Sequence, residues 1–220
     1  MGGGFGGKES QASQWAAIAA LCARLTGKPC KLRLDRDDDM MLTGKRHDFR
    51  VDWQTGFDDQ GRILATDIAL LARCGYSADL SNAICDRTMF HADNTYFYPA
   101  ARIATRRLRT NTVSNTAFRG FGGPQGMIVI EAIMGDIARH LGLDPLDVRM
   151  RNLYSDEAIA GTALRRDTTH YGMCVEDNIL APLLSKLEQT AQYRRGREAI
   201  LAWNAANPII KKGLAITPVK

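Results

Sequence analysis

Residues 115–126, Asn-Thr-Ala-Phe-Arg-Gly-Phe-Gly-Gly-Pro-Gln-Gly, set two aromatic rings, a guanidinium and a glycine-rich turn directly ahead of an apolar helical run. Phe118 and Phe121 offer flat faces to a planar ring, and Arg119 offers a forked donor to an anion. Gly122 and Gly123 have no Cβ, so the backbone there can lie close to a bulky ligand. Pro124 suits a first helical position, and Met127, Ile130, Ile133, Met134, Ile137 and Leu141 follow at helical spacing. A helix N-terminus presents unpaired N–H groups and a positive dipole end, which suit a phosphate or another anion. The combination reads as a site for a phosphorylated ligand that contains a ring.

A second glycine-rich turn opens the chain at residues 2–9, Gly-Gly-Gly-Phe-Gly-Gly-Lys-Glu. It also feeds a helical run, with apolar positions at Trp15, Ile18, Ala19, Cys22 and Leu25. Two such turns, each with a phenylalanine inside the glycine run, point to two helix ends converging on one ligand. The spacing of Gly2, Gly7 and Lys8 imitates a nucleotide phosphate loop, but Glu9 stands where Ser or Thr would hold magnesium. A carboxylate aimed at a triphosphate repels it, so this reading is set aside. Glu9 better suits a substrate contact, an acceptor or (when protonated) a donor for ring N–H or carbonyl groups. Its plainer role is an early-turn acid that stabilises the N-terminus of the following helix.

The elements that carry these turns are mixed. Residues 31–35 read as a short strand through Leu32 and Leu34. Residues 49–57 and 63–71 flank Asp-Asp-Gln-Gly-Arg and read as a hairpin, and 101–110 as a further strand. The helix after Pro124 is expected to end near Gly142, and Asp144-Pro145 to start a short one. Residues 175–192 read as a helix that Pro182 starts or kinks, 194–205 as a polar helical surface, and 209–220 as the beginning of a strand. The expected class is α+β, helices packed on a mixed, mostly antiparallel sheet. The domain reading is a single partial ligand-binding domain over 1–220: turn plus helix at 1–30, a strand-rich part at 31–110, and turn plus helical part at 111–220.

Bulk properties narrow the function. With 220 residues, 45% of them hydrophobic, the chain can bury a core, and no apolar run approaches a membrane span or a secretory signal. Cys22, Cys30, Cys74, Cys85 and Cys174 are scattered without a close pair, which fits a reducing cytoplasm and excludes an iron–sulfur cysteine array. The net charge of +5 is modest, and the basic cluster Arg102, Arg106, Arg107 and Arg109 alternates with Ile103 and Leu108. It reads as the solvated face of a strand rather than a nucleic-acid surface. His47 and His91 lack metal-ligand spacing. The acidic run from Asp35 through Asp37, Asp38 and Asp39 lacks the glycine and glutamate of a calcium loop, so it reads as a solvated turn or salt-bridge patch.

Six stretches together are similar to the molybdenum-cofactor domain of the xanthine oxidase family of molybdenum hydroxylases. They are residues 2–9, Leu-Asp-Arg-Asp-Asp-Asp-Met at 34–40, Thr-Gly-Lys-Arg-His at 43–47, Asp-Arg-Thr-Met-Phe-His at 86–91, residues 115–126, and Val-Arg-Met-Arg-Asn-Leu at 148–153. They occur in the family's order and spread over about two-thirds of the chain. The resemblance implies that Glu9 hydrogen-bonds a purine, that Arg87 pairs with a purine carbonyl oxygen and that Phe121 stacks on the ring. It further implies that Gly4, Phe5, Gly6, Phe118 and Arg119 line a molybdenum-bearing molybdopterin. Phe5 and Arg119 then lie near the metal without ligating it. Hydroxylating an electron-poor ring carbon builds negative charge on the heterocycle, and a fixed arginine at the far carbonyl stabilises that charge preferentially. Without the resemblance, Arg87 beside Asp86 reads as a surface ion pair, and Phe118 and Phe121 as core.

The resemblance also implies that relatives oxidising aldehydes typically carry residues without matched charge in place of the Glu9–Arg87 pair, so its presence favours hypoxanthine or xanthine. The family's general base, a downstream glutamate, has no counterpart here, nor has the glutamine contact before the first turn. Two 2Fe-2S clusters, FAD and NAD are expected outside this chain, on the rest of the molybdenum domain and on iron–sulfur and flavin domains or subunits. The chain therefore reads as a piece of a larger catalytic subunit that does not turn over alone. The enzyme alternative is another molybdenum hydroxylase acting on an aldehyde or a different N-heterocycle, and the non-enzymatic one is a truncated chain that folds or self-associates without cofactor, its exposed edge strands promoting association.

Overall fold

The computed structural model describes residues 4–159, 162 and 165–220, so Gly2 and Gly3 of the first turn lie outside the described residues. Three strands and, among the described residues, seven helices follow one another along the chain. After the first turn comes α1 (Ser13–Thr26), which Gly27 ends in the left-handed region at φ 65°. Then α2 spans Arg36–Leu42. Asp35 caps it by accepting from the Asp38 N–H at 2.8 Å, and Asp37, Asp38 and Asp39 fill its first turn, where the helix dipole favours acids. The acidic run is thus a helix start.

Residues 31–35 form no strand; Leu32 is exposed and no neighbouring strand pairs with it, so alternation alone was not enough.

The hairpin is present as β1 (Phe49–Phe57) and β2 (Ile63–Gly75), turned by Gly61 at φ 81° and by the Asp58 carboxylate, which accepts from the Gln60 and Arg62 N–H groups. Next come α3 (Ser81–Phe90) and β3 (Ala101–Arg109). The sheet order is β1-β2-β3. β1 and β2 run antiparallel, with Asp58 bonded to Arg62 and Arg73 to Asp48. β2 and β3 run parallel, Thr66 pairing with Ala100 and Gly75 with Thr110. The sheet is therefore mixed, within an α+β fold. Along the central strand Thr66, Ile68, Leu70, Ala72 and Cys74 are buried in alternation, as a period of two requires.

α4 (Gly123–Leu141) begins one residue ahead of Pro124 and stops before Gly142, which takes φ 67°. α5 (Pro145–Asn152) is capped by Asp144 through the Leu146 N–H at 2.8 Å. α6 spans Leu180–Thr190, so residues 175–179 are not helical and Pro182 sits in its first turn. α7 is Tyr193–Ala206. Residues 209–220 form no strand; the chain's last residue instead donates from its backbone N to Asn94 and from Nζ to Asp93 at 2.8 Å.

Two compact units alternate along the chain. The first comprises Met1–Trp53, Ile68–Ala92 and Ile103–Gly126, and the second Gln54–Asp67, Asp93–Arg102 and Met127–Lys220. In the second, Ile130, Ile133, Met134 and Ile137 of α4 bury the stripe read from the sequence. A buried ion pair joins them: Arg149 Nε donates to Glu131 at 2.7 Å, and Tyr96 and Asn94 donate to the same carboxylate. In the first, the buried faces of β2 and α3 meet around Cys74 and Cys85. Burial pushes the Cys85 thiol up to about 11, which makes it a packing group rather than a nucleophile.

Candidate cofactor and substrate site

Both glycine turns and α3 fall in the first unit. The two turns are one device used twice. Residues 4–7 and 120–123 both read Gly-Phe-Gly-Gly. In each, the fourth residue's N–H donates to the first residue's carbonyl, Gly7 to Gly4 at 3.2 Å and Gly123 to Gly120 at 2.9 Å. In each, the phenylalanine and the next glycine have positive φ: Phe5 at 52° and Gly6 at 83°, Phe121 at 50° and Gly122 at 96°. That is the signature of a type I′ turn, and a phenylalanine there is held in a conformation L residues rarely adopt. The first turn lies against the segment leading into the second, because a Cβ on Gly6 would stand 3.0 Å from Ala117 Cβ and 3.2 Å from the Phe118 nitrogen.

Glu9 folds back onto the first turn and accepts from the Gly6 N–H at 3.0 Å and the Lys8 N–H at 3.2 Å. Those backbone bonds, the Gly6 one foremost, hold its carboxyl below the ordinary glutamate value. A side chain on Gly4 would collide with the Glu9 carboxylate.

α3 docks on the second turn through backbone contact. A Cβ on Gly122 would collide with the Ile84 carbonyl, and the Thr88 hydroxyl bonds the Ile84 and Gly122 carbonyls at 2.9 and 3.0 Å. Arg87 therefore sits beside the turn, its Nε 3.9 Å from where a Gly123 Cβ would be. Asp86 pairs with Arg107 of β3 instead, and among the described residues no ion pair to Arg87 is formed. The surface-ion-pair reading of Arg87 thus fails.

Between the turns runs the segment 43–46, pinned by the Thr116 N–H donating to the Lys45 carbonyl at 3.0 Å and the Gly44 N–H donating to Gln11 at 2.7 Å. Together they enclose a cleft of about 820 Å³ lined by Gly4, Phe5, Gly7, Lys8, Asp39, residues 43–46 and residues 117–119. Four of the residues read from the sequence line it: Gly4, Phe5, Phe118 and Arg119. Gly6, Glu9, Arg87 and Phe121 are outside its lining. Phe118 is 51% exposed, so it is not a core residue, and Phe121 is half-buried. Lys8, Lys45 and Arg46 are additions that sequence reasoning did not assign. Lys45 is occupied: its Nζ donates to the Asp39 and Thr43 carbonyls and the Thr43 hydroxyl, closing the end of α2. Arg46 donates to the Arg119 carbonyl at 2.6 Å and lies over the Phe118 ring at 4.7 Å. The Thr-Gly-Lys-Arg-His run was the available signal, since a Gly44 Cβ would collide with the Ser114 carbonyl.

His47 is buried and bonded to Ser81 at 2.7 Å, and burial lowers its pKa and favours the neutral ring. Among the described residues no group of three or more His, Cys, Asp and Glu is placed to hold a metal ion. Arg102 and Arg107 of the basic strand face Asp67 and Asp86.

The cleft brings glycine backbone together with the Phe5 and Phe118 side chains and the Lys8 and Arg119 cations, groups that suit an anionic ligand containing a ring. The profile of the molybdopterin cofactor-binding domain matches residues 1–153, and the chain belongs to that family. Over all 220 residues it is 40% identical to the xanthine dehydrogenase/oxidase of Mus musculus and 37% identical to the xanthine dehydrogenase of Emericella nidulans. It spans 16% of the length of each. Its fold is shared by the aldehyde oxidoreductase of Desulfovibrio desulfuricans, with a TM-score of 0.76 and 28% identity, over 92% of this chain and 21% of that one.

Proposed function

We propose that this chain forms one wall of the cofactor and purine site of a xanthine dehydrogenase that hydroxylates hypoxanthine and xanthine to urate, with water as the oxygen source. The residues present fit a molybdopterin: a Cβ at Gly6 would crowd the wall of the cleft, and Lys8 and Arg119 add positive charge to it. Phe5, Phe118 and the glycine amides would hold the pterin, and Arg119 its anionic part. When bound, the cofactor supplies the oxygen-transfer and two-electron redox chemistry. This chain's own residues bind and orient. Glu9, kept ionised by its backbone bonds, still has lone pairs free on its exposed side and acts as an acceptor for a ring N–H. Arg87 stabilises the charge that builds on the far carbonyl, and Phe121 stacks on the ring. The base, the 2Fe-2S clusters, FAD and NAD belong to other parts of the complete enzyme. The cysteines Cys22, Cys30, Cys74, Cys85 and Cys174 are all free, which supports a cytoplasmic setting.

The observation that carries the purine reading is Arg87, a guanidinium without an ion-pair partner among the described residues, docked beside the turn that bears Phe121. The fold alone does not separate purines from aldehydes or other N-heterocycles, since an aldehyde oxidoreductase shares it. In the complete enzyme, Arg87→Met is expected to lower purine kcat/KM by about 10²–10³-fold, the range of a lost oxyanion-type donor, and to spare aldehyde turnover. Glu9→Ala is expected to act in the same direction. Steady-state kinetics with equal losses on both substrates would refute the purine assignment.

A further inference from the structure

We infer that Arg46 is the positioning residue of the second glycine turn, fixing the loop that presents Phe121 while not touching substrate itself. This rests on the purine reading above. The guanidinium grips the turn on both sides of Phe121. Ahead of it, Nη2 donates to the Arg119 carbonyl at 2.6 Å and the cation lies 4.7 Å over the Phe118 ring. Behind it, Nη1 donates to the Gln125 Oε1 at 3.4 Å. Gln125 is itself anchored, its Nε2 donating to the His47 carbonyl at 3.2 Å. The base of the clamp is rigid, since His47 is buried on Ser81 and the Lys45 carbonyl accepts from Thr116.

The far side of the turn is held by α3, where the Thr88 hydroxyl donates to the Gly122 carbonyl at 3.0 Å, and the clamp restrains the near side, residues 118–120. Gly120 at φ 92° and Gly122 at φ 96° flank Phe121, a backbone conformation that L side chains rarely adopt and that neighbouring contacts must hold. The Phe121 N–H to Phe118 carbonyl bond at 2.8 Å closes the turn without tying it to another segment. The Arg119 carbonyl and Phe118 ring are tied through Arg46 to the segment at 45–47. An ammonium does not replace this contact set, because only a planar guanidinium stacks on a ring while donating in its own plane to two acceptors.

The test compares the complete enzyme with Arg46→Met and Arg46→Lys by amide hydrogen exchange, molybdenum content and steady-state purine kinetics. For Arg46→Met the expectation is exchange at residues 118–123 accelerated at least about tenfold, and purine KM raised about tenfold with kcat within about threefold. Tenfold is the scale of one lost charge-assisted hydrogen bond. Both constants are expressed per bound molybdenum, and Arg46→Lys should recover part of the KM. If Arg46→Met does not fold, Gln125→Leu removes one arm of the clamp and should raise KM about threefold with faster exchange. A raised KM with unchanged exchange overturns the inference, because Arg46 would then act on the ligand directly. Faster exchange with unchanged KM also overturns it. Arg87→Met, run alongside, separates the two readings: if it still costs purine turnover, only the positioning role has failed, and if it too is silent, the purine site itself has.

Discussion

Glu9 commits its carboxylate to its own loop, and that makes its ionisation state measurable without any ligand. The Gly6 and Lys8 N–H groups favour the charged form and lower its pKa. A depressed folded-state value means that the turn's closure is fully present above the unfolded glutamate value and is lost as pH falls through the lower, folded one. The Gly6 amide shift should therefore titrate with a midpoint below that of an unstructured peptide containing Glu9. An identical midpoint would mean that the carboxylate is free. At this scale the sequence was informative about residue types and less so about their company. Phe121 reads from the sequence as a ring face and Phe5 as a cofactor-lining residue, yet their shared left-handed backbone lies in dihedral angles that composition does not disclose. The sequence around Arg46 does not disclose its role, because its three contacts lie 72 to 79 positions away, at Phe118, Arg119 and Gln125.

At the scale of elements, the approach of α3 to the start of α4 is set by missing side chains. A Cβ on Gly126 would collide with the Thr88 carbonyl and stand 2.9 Å from the His91 carbonyl carbon. Gly135, on the same helix, has open space around its Cβ position. Gly126→Ala should thus destabilise by about 1–3 kcal/mol, as overpacking does, while Gly135→Ala should stabilise by about 0.5–1 kcal/mol. Thermal melts of the two variants, compared with the parent, should move in opposite directions; shifts of the same sign would contradict this packing. The same contrast explains what was legible. α4 announced itself through an apolar stripe of helical period. α3 did not, because the residues it buries are Ser81, Ile84, Cys85 and Thr88, two of them polar and used for hydrogen bonds. α2 is hidden by its acids, because a cap and an acidic first turn have the same composition as a solvated turn.

For the molecule as a whole, burial is distributed unevenly. α1 buries none of its residues, and Ile18, Leu21 and Leu25 lie on one face at spacings of three and four, exposed by 45%, 56% and 77%. Met40, Met41 and Leu42 at the end of α2 are likewise exposed. An apolar helix face of this kind is seldom left to water in a stable protein, which makes it a candidate surface for another polypeptide. The relatives are about six times longer, since this chain spans 16% of them, and they have ample chain to cover it. Expressed as these 220 residues alone, the protein should satisfy the face by self-association, which its modest charge of +5 opposes only weakly. Sedimentation velocity should show a weight-average mass that rises with concentration, and replacing Leu21 and Leu25 by lysine should return the chain toward its 24.3 kDa monomer. A parent chain that stays monomeric throughout the micromolar range would mean that α1 tolerates water, and that its apolar positions serve some purpose other than burial.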